Sequence, residues 1–270
     1  MDYLFDPANW EWVFAGRNFM FLVERFLNNI VLALVTMALS LVVGLFVALL
    51  RISKNKPVAV TTGLWIDVWR NLPVLLLLLY FGLALPQEVK DLWVDSAPGF
   101  LPAQIRESGQ VIASIIALTL YNSSVIAEIF RAGIQSLERG QGEAAAALGL
   151  SYWKSMRIVI LPQGLRRMVP ATVSQLITLT KDTSLVSILA IQELVSAGNI
   201  VNNTSGSAFG GADLPQAPIL QVFIVVGVMF IVFNLALSLL SRRLEVRERK
   251  RAGDVETVTG LEDQISIKPV

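Results

Sequence analysis

The sequence predicts an all-α integral membrane protein of about five transmembrane helices, with a helical cytoplasmic insert, the N-terminus outside and the C-terminus inside. Three observations predict this. Apolar residues make up 54% of 270 and charged residues only 16%, with a mean hydropathy of +0.61, far from the composition of a water-soluble domain. Five apolar runs approach the roughly 20 residues needed to cross about 30 Å of hydrocarbon. Lysine and arginine collect on alternate connections, which orients the chain because basic loops stay cytoplasmic. The chain has no cysteine and no histidine, which excludes disulfides, thiolate or imidazole metal sites, and Ser/His or Cys/His catalysis.

The segment 1–26 carries Asp2, Asp6 and Glu11 and lacks the basic start of a cleaved signal peptide, so the first apolar stretch is expected to be retained behind an external N-terminal segment. The spans fall at about 27–50, 58–86, 109–131, 168–190 and 217–241. Three connections are basic: 51–56 with Arg51, Lys54 and Lys56; 131–167 with Arg131, Arg139, Lys154, Arg157, Arg166 and Arg167; and 242–251 with Arg242, Arg243, Arg247, Arg249, Lys250 and Arg251. The other two, 87–108 and 191–216, carry only Lys90 and Arg106, and the latter holds Glu193 and Asp213. A sixth span, or a missed one, would put a basic cluster on the outer face. The expected organisation is an external segment 1–26, a membrane domain 27–241 and a cytoplasmic tail 242–270. The polar stretch from Ser196 to Pro215 is a long external connection, and its Asn202–Ser205 run is a polar turn rather than a glycosylation site. The end, 252–270, has no periodicity and is expected to be flexible.

Within the second span, Asp67 and Arg70 stand three residues apart and Pro73 follows. The apolar run after Pro73 is about 13 residues, too short to span alone, so this pair is expected near the cytoplasmic interface or inside the bundle, in a structural or gating role. The third span carries Asn122, Ser123 and Ser124, with Glu128 and Arg131 below them. The polar trio either faces a pathway or hydrogen-bonds to neighbouring helices, and Glu128 with Arg131 is expected to be structural.

The insert at about 137–165 has the pattern of a docking knob. Gly140-Gln141-Gly142 is expected to interrupt the helix arriving from the third span, and Glu143 to open a new one, where its charge favours the helix N-terminus. Ala144 to Ala147 are strong helix formers of little bulk. Gly149 ends that helix and Ser151 caps the next, which carries Tyr152, Trp153 and Met156. Two short helices at a glycine elbow suit a partner's groove better than lipid; the alternative is an alanine-rich surface helix without a partner.

An ionisable residue at mid-span costs about 2.5–3.5 kcal/mol, so it should have a task or a partner. Lys181 and Asp182 lie in the fourth span among Gln175, Thr178, Thr180, Thr183 and Ser184. Helical spacing sets Gln175, Thr178 and Asp182 on roughly one face. A zwitterion needs an acceptor for its ammonium and a donor for its carboxylate, roles that Asp182 and Lys181 respectively fit. The alternative is a structural ion pair.

Several ordered words resemble the permease subunits of polar amino-acid uptake ABC transporters, binding-protein-dependent importers of type I fold that include histidine, glutamine, glutamate and arginine permeases. They are Ala127-Glu128-Ile129-Phe130-Arg131-Ala132-Gly133, Gly140-Gln141-Gly142-Glu143-Ala144-Ala145, Leu161-Pro162-Gln163, Lys181-Asp182-Thr183-Ser184-Leu185 and, upstream, Ile66-Asp67-Val68-Trp69-Arg70-Asn71-Leu72-Pro73. The resemblance implies transport by alternating access, with Gly140, Glu143, Ala144, Ala145, Gly149, Leu161 and Pro162 at the ATPase-coupling surface. It places substrate near Lys181, Asp182, Thr183, Ser184, Gln175, Thr178, Asn122 and Ser123. The implied partners are an ATP-binding cassette ATPase dimer, a second permease subunit, an external solute-binding protein and lipid of a bacterial inner membrane, with no nucleic acid. No phosphate-binding Gly-rich loop with Lys-Ser/Thr is present, so ATP and Mg are expected on the partner and no cofactor in this chain. Two further classes stay open: an ion-coupled secondary transporter titrating at Lys181 and Asp182, and a membrane adaptor that recruits an ATPase without transporting.

Overall fold

The computed structural model describes residues 2–137, 139–203 and 218–252, and every regular element among them is helical. In chain order these are α1 (Asp2–Phe5), α2 (Pro7–Phe14), α3 (Asn18–Arg51), α4 (Lys56–Asn71), α5 (Val74–Ala84), α6 (Gln87–Ser96), α7 (Ala103–Arg106), α8 (Gln110–Gln135), α9 (Arg139–Ala147), α10 (Tyr152–Ser155), α11 (Leu161–Asp182), α12 (Leu194–Asn203) and α13 (Ile219–Ala252). A π-helical turn, Met156–Ile160, joins α10 to α11, and a 3-10 stretch, Thr183–Leu189, follows α11. Among the described residues, α3, α8 and Ile219–Glu248 of α13 are long and apolar enough to cross a membrane. The count rises to five if α4 with α5, and Tyr152–Leu189 with α12, each form one broken span.

The breaks have local causes. Pro73 lacks an N–H and drives Leu72 into extended backbone (ψ 136°), which separates α4 from α5. Ala190, in left-handed backbone with φ 59°, ends the 3-10 stretch, and α12 departs at 52°. The first span's helix begins at Asn18 rather than near 27, because apolar residues continue upstream and Asn18 anchors the start by donating from Nδ2 to the Trp12 carbonyl (2.8 Å). The stretch from Ser196 to Asn203, expected to belong to an open connection, is helical in α12; Thr204 to Pro215, Asp213, and the 253–270 part of the tail lie outside the described residues.

The chain divides into two compact units: Met1–Thr36, Pro73–Leu118 and Leu179–Asn234 form the first, and Met37–Leu72, Thr119–Thr178 and Leu235–Val270 the second. The first is built on a core of Trp12, Leu22, Phe26, Leu194, Val201 and Val222 with their neighbours. Trp12 also donates its indole N–H to the Val201 carbonyl (3.1 Å), and Phe26 meets Phe230 and Phe233 edge-on. The second unit relies on close helix approach over small residues, as membrane interiors do. A Cβ at Gly44 would lie 2.6 Å from Ile126, and one at Gly133 would overlap Met168. Apolar side chains left outward, such as Leu27, Leu34 and Val42 on α3 and Ile231, Val232 and Leu235 on α13, suit hydrocarbon as solvent.

Candidate functional site

In the first unit, α11 runs out at Lys181 and Asp182. The Lys181 side chain is exposed. Asp182 is half-buried, and its Oδ2 is shut from solvent with no hydrogen-bond partner among the described residues. Among the described residues the two form no direct ion pair. The hydroxyl of Ser184 donates back to the Lys181 carbonyl (2.7 Å).

Thr183 is fully buried and belongs to a polar node that pattern reading missed. Asn29 on α3 donates from Nδ2 to Thr183 Oγ1 (3.1 Å) and to Glu193 Oε2 (3.2 Å), and its Oδ1 accepts from the Leu194 N–H (3.0 Å). The Thr183 hydroxyl donates a hydrogen bond to the Thr180 carbonyl (2.7 Å). Glu193, taken from sequence as a loop charge, is only 1% exposed. It caps α12, accepting from the Val195 and Ser196 N–H groups (2.9 and 2.7 Å), which satisfies donors that a helix start leaves orphaned. The neighbouring Asn28 donates to the Gln192 carbonyl (3.1 Å). The available signal was a carboxylate directly before an apolar helical run, and two asparagines at the head of an apolar span.

In the second unit, Gln175 on α11 and Asn122 on α8 are brought together, the Gln175 amide donating to Asn122 Oδ1 (2.7 Å). Ser123 and Ser124 are buried and donate to carbonyls of their own helix, Leu120 and Tyr121. Thr178 makes a long bond to the Ser174 carbonyl (3.5 Å). Glu128 and Arg131 form an ion pair (2.8 Å). Asp67 and Arg70 do not pair: both are exposed, and the contact near them is the Asn71 amide on the Asp67 carbonyl (2.7 Å). Three residues along a helix place two side chains near each other without obliging them to meet when water competes.

The insert differs from expectation at its start. Gly140 and Gly142 lie inside α9, which begins at Arg139, so Glu143 sits past the first turn and gains no helix-start advantage. The glycine cost of about 1 kcal/mol each is overcome by the alanine run and by docking of one face: Ala145 is buried, Gly142 approaches Ile160, and Gln163 donates to Gln141 (3.2 Å). Gly149, at φ 74°, forms the elbow after Ala147. Ser151 occupies the N-cap position of α10 without a side-chain bond. Leu161 and Pro162 open α11, which continues directly from α10 through the π turn, so the second short helix of the knob is the head of the fourth span's helix. Glu143 and Ala144 are exposed, Leu148 is 82% exposed and Trp153 73%, an apolar tip that no element among the described residues covers.

Residues 40–250 match the family described as binding-protein-dependent transport system inner membrane component. The chain is 34% identical over 235 residues to the probable glutamine ABC transporter permease protein GlnP of Bacillus subtilis, covering 87% of this chain and 97% of that protein. It is 28% identical over 237 residues to the glutamate/aspartate import permease protein GltK of Escherichia coli O6:H1, covering 88% and 97%. A crystal structure of an amino acid ABC transporter with histidines superposes with a TM-score of 0.67 at 26% identity, over 86% of this chain and 95% of that one. Membership replaces both the secondary transporter and the adaptor as readings of the buried polar set. The chain belongs to the binding-protein-dependent transport-system inner-membrane family: it is a multi-pass permease subunit of an ABC importer, whose systems comprise a binding protein and a separate ATPase.

Proposed function

We propose that this permease carries a polar or charged amino acid inward, with Asp182 receiving the substrate ammonium. The observation behind this assignment is Asp182 Oδ2, a carboxylate oxygen held away from water with no hydrogen-bond partner among the described residues, at a helix end whose Lys181 side chain remains open. The amino-acid class is supported by the glutamine and glutamate/aspartate permeases among its relatives. The working arrangement has five spans, 27–241, with the external segment 1–26 on one side and the tail 242–270 in the cytoplasm. The exposed tip around Glu143, Leu148 and Trp153, within 137–165, docks on an ATPase dimer. Closing of that dimer on ATP moves the tip as a rigid body, and a second permease subunit, identical or homologous, completes the alternating pathway.

The test is ATP hydrolysis by the assembled permease, ATPase and binding protein in vesicles, across glutamate, glutamine, aspartate, arginine and histidine. Stimulation by one of them, lost in Glu143→Arg with assembly intact, is the expected result. A flat panel from an intact assembly would refute the amino-acid cargo.

A further inference from the structure

Within the second unit, the short turn from Ile52 to Asn55 that joins α3 to α4 reaches the tip. Lys54 Nζ stands 4.6 Å from the centre of the Tyr152 ring on α10, a cation–π distance. Tyr152 in turn meets the ring of Trp153 edge-on, with centroids 5.7 Å apart, and Trp153 is the exposed apolar end of the tip. Open space flanks this contact. A cavity of about 150 Å³ is bounded in part by Leu49, Lys54 and Trp153, and another of about 270 Å³ by Ile134, Gly142 and Ile160. Ile52, Tyr152 and Met156 line both, so they form the partition between the two.

On its other side the turn is fastened to α4. Arg51, the last residue of α3, donates from Nη1 to the Ala59 carbonyl (3.0 Å). Its guanidinium lies against Gly63, where a Cβ would stand 2.8 Å from Cζ. The end of α3, the turn and the first half of α4 are thereby joined as one body. Displacement passes through close-packed atoms and is lost across voids. With a cavity on either side, the tip meets this body at Tyr152 and its two apolar neighbours. The helix α11 needs no such joint, because it continues covalently from α10 through the π turn.

We propose that Tyr152 is a positioning residue for coupled transport: its contact with Lys54 carries the ATPase-driven displacement of the tip to α4, in parallel with the direct path along α11. This rests on the docking of the tip proposed above. Both side chains are exposed in the isolated chain, where a cation–π contact is weak. An ATPase covering Trp153 excludes water from the pair and strengthens it, so the joint tightens when the partner is in place.

The test is spin-label distance measurement on the permease–ATPase complex in lipid nanodiscs, with and without trapping by ATP and vanadate. The chain has no native cysteine, so Val60→Cys on α4 and Ala132→Cys on α8, both exposed positions, give a defined pair beside a cysteine-free ATPase. The expected result is a trapping-dependent change in this distance that Tyr152→Leu abolishes, with ATPase binding and vanadate trapping retained. Tyr152→Phe keeps the ring and should preserve the change, and Lys54→Gln should reduce it. A distance that does not respond to trapping with Tyr152 intact, or a response that survives Tyr152→Leu, overturns the inference. Loss of ATPase binding in Tyr152→Leu does so too, since Tyr152 is then a docking residue only. If Tyr152→Leu fails to fold, an undiminished response in Lys54→Gln overturns it as well. Glu143→Arg separates the two readings. Binding, trapping and the α4 response all kept in Glu143→Arg remove the docking of the tip itself, whereas their loss there beside a full response in Tyr152→Leu removes the joint and keeps the docking.

Discussion

Asn29 uses each of its side-chain polar atoms, joining Thr183, Glu193 and the Leu194 N–H where two helical segments meet. Its replacement by leucine leaves several buried groups without partners, at about 1–3 kcal/mol apiece. The expected outcome for Asn29→Leu is a fall of several degrees in the thermal unfolding of the purified complex in detergent. Glu193→Gln, which keeps one acceptor oxygen for the α12 N–H groups, should lose less. Asp182→Asn is expected to do something different: unchanged unfolding, with amino-acid-stimulated ATP hydrolysis lost and basal hydrolysis kept. That contrast separates a residue that holds the fold from one that waits for a ligand. The sequence reading grouped Thr183 with Asp182 near the substrate on the family resemblance of this polar stretch. Adjacent residues on a helix point about 100° apart, and the tertiary neighbour Asn29 decided which one was enclosed.

At the scale of elements, the helices approach one another through glycines chosen by their surroundings. Gly44→Val inserts a side chain against Ile126 and the Ser123 carbonyl, and overpacking of this kind costs about 1–3 kcal/mol. Gly227, which faces open space within 4 Å, should accept alanine with no loss. Comparison of the two variants' unfolding temperatures checks both. The tip formed by α9 and α10 is expected to tolerate Trp153→Ala for folding, since that ring is largely exposed, yet to reduce stimulated ATP hydrolysis when the ATPase is present. The start of α9 was not legible from its residues: two glycines in three positions read as a breaker, and the docking of Ala145 and Gly142 helps the alanine run keep them helical. Its end was legible, because a turn into left-handed backbone at Gly149 needs a residue without a Cβ.

For the whole molecule, the absence of native cysteine permits a direct topology test. In the five-span arrangement, Asp95→Cys should react with a membrane-impermeant maleimide in intact cells, and Arg243→Cys only after permeabilisation. Both positions are exposed, so burial does not mask the readout, and the reverse pattern would invert the proposed orientation.

What the sequence determined alone was the class of the molecule, its apolar spans and its family words, because hydrocarbon thickness, loop charge and a run of specific residues act locally along the chain. The extension of the first helix back to Asn18, the helical state of 194–203, the separation of Asp67 from Arg70 and the enclosure of Glu193 were decided by the tertiary structure. So was the burial of Arg25, which lies inside the stretch assigned from sequence to an external segment. Each depends on a partner many residues away, such as Trp12 with Val201 or Asn29 with Glu193. No local pattern specifies which distant groups will meet, and in a low-dielectric interior those meetings decide where a polar atom is satisfied or left waiting.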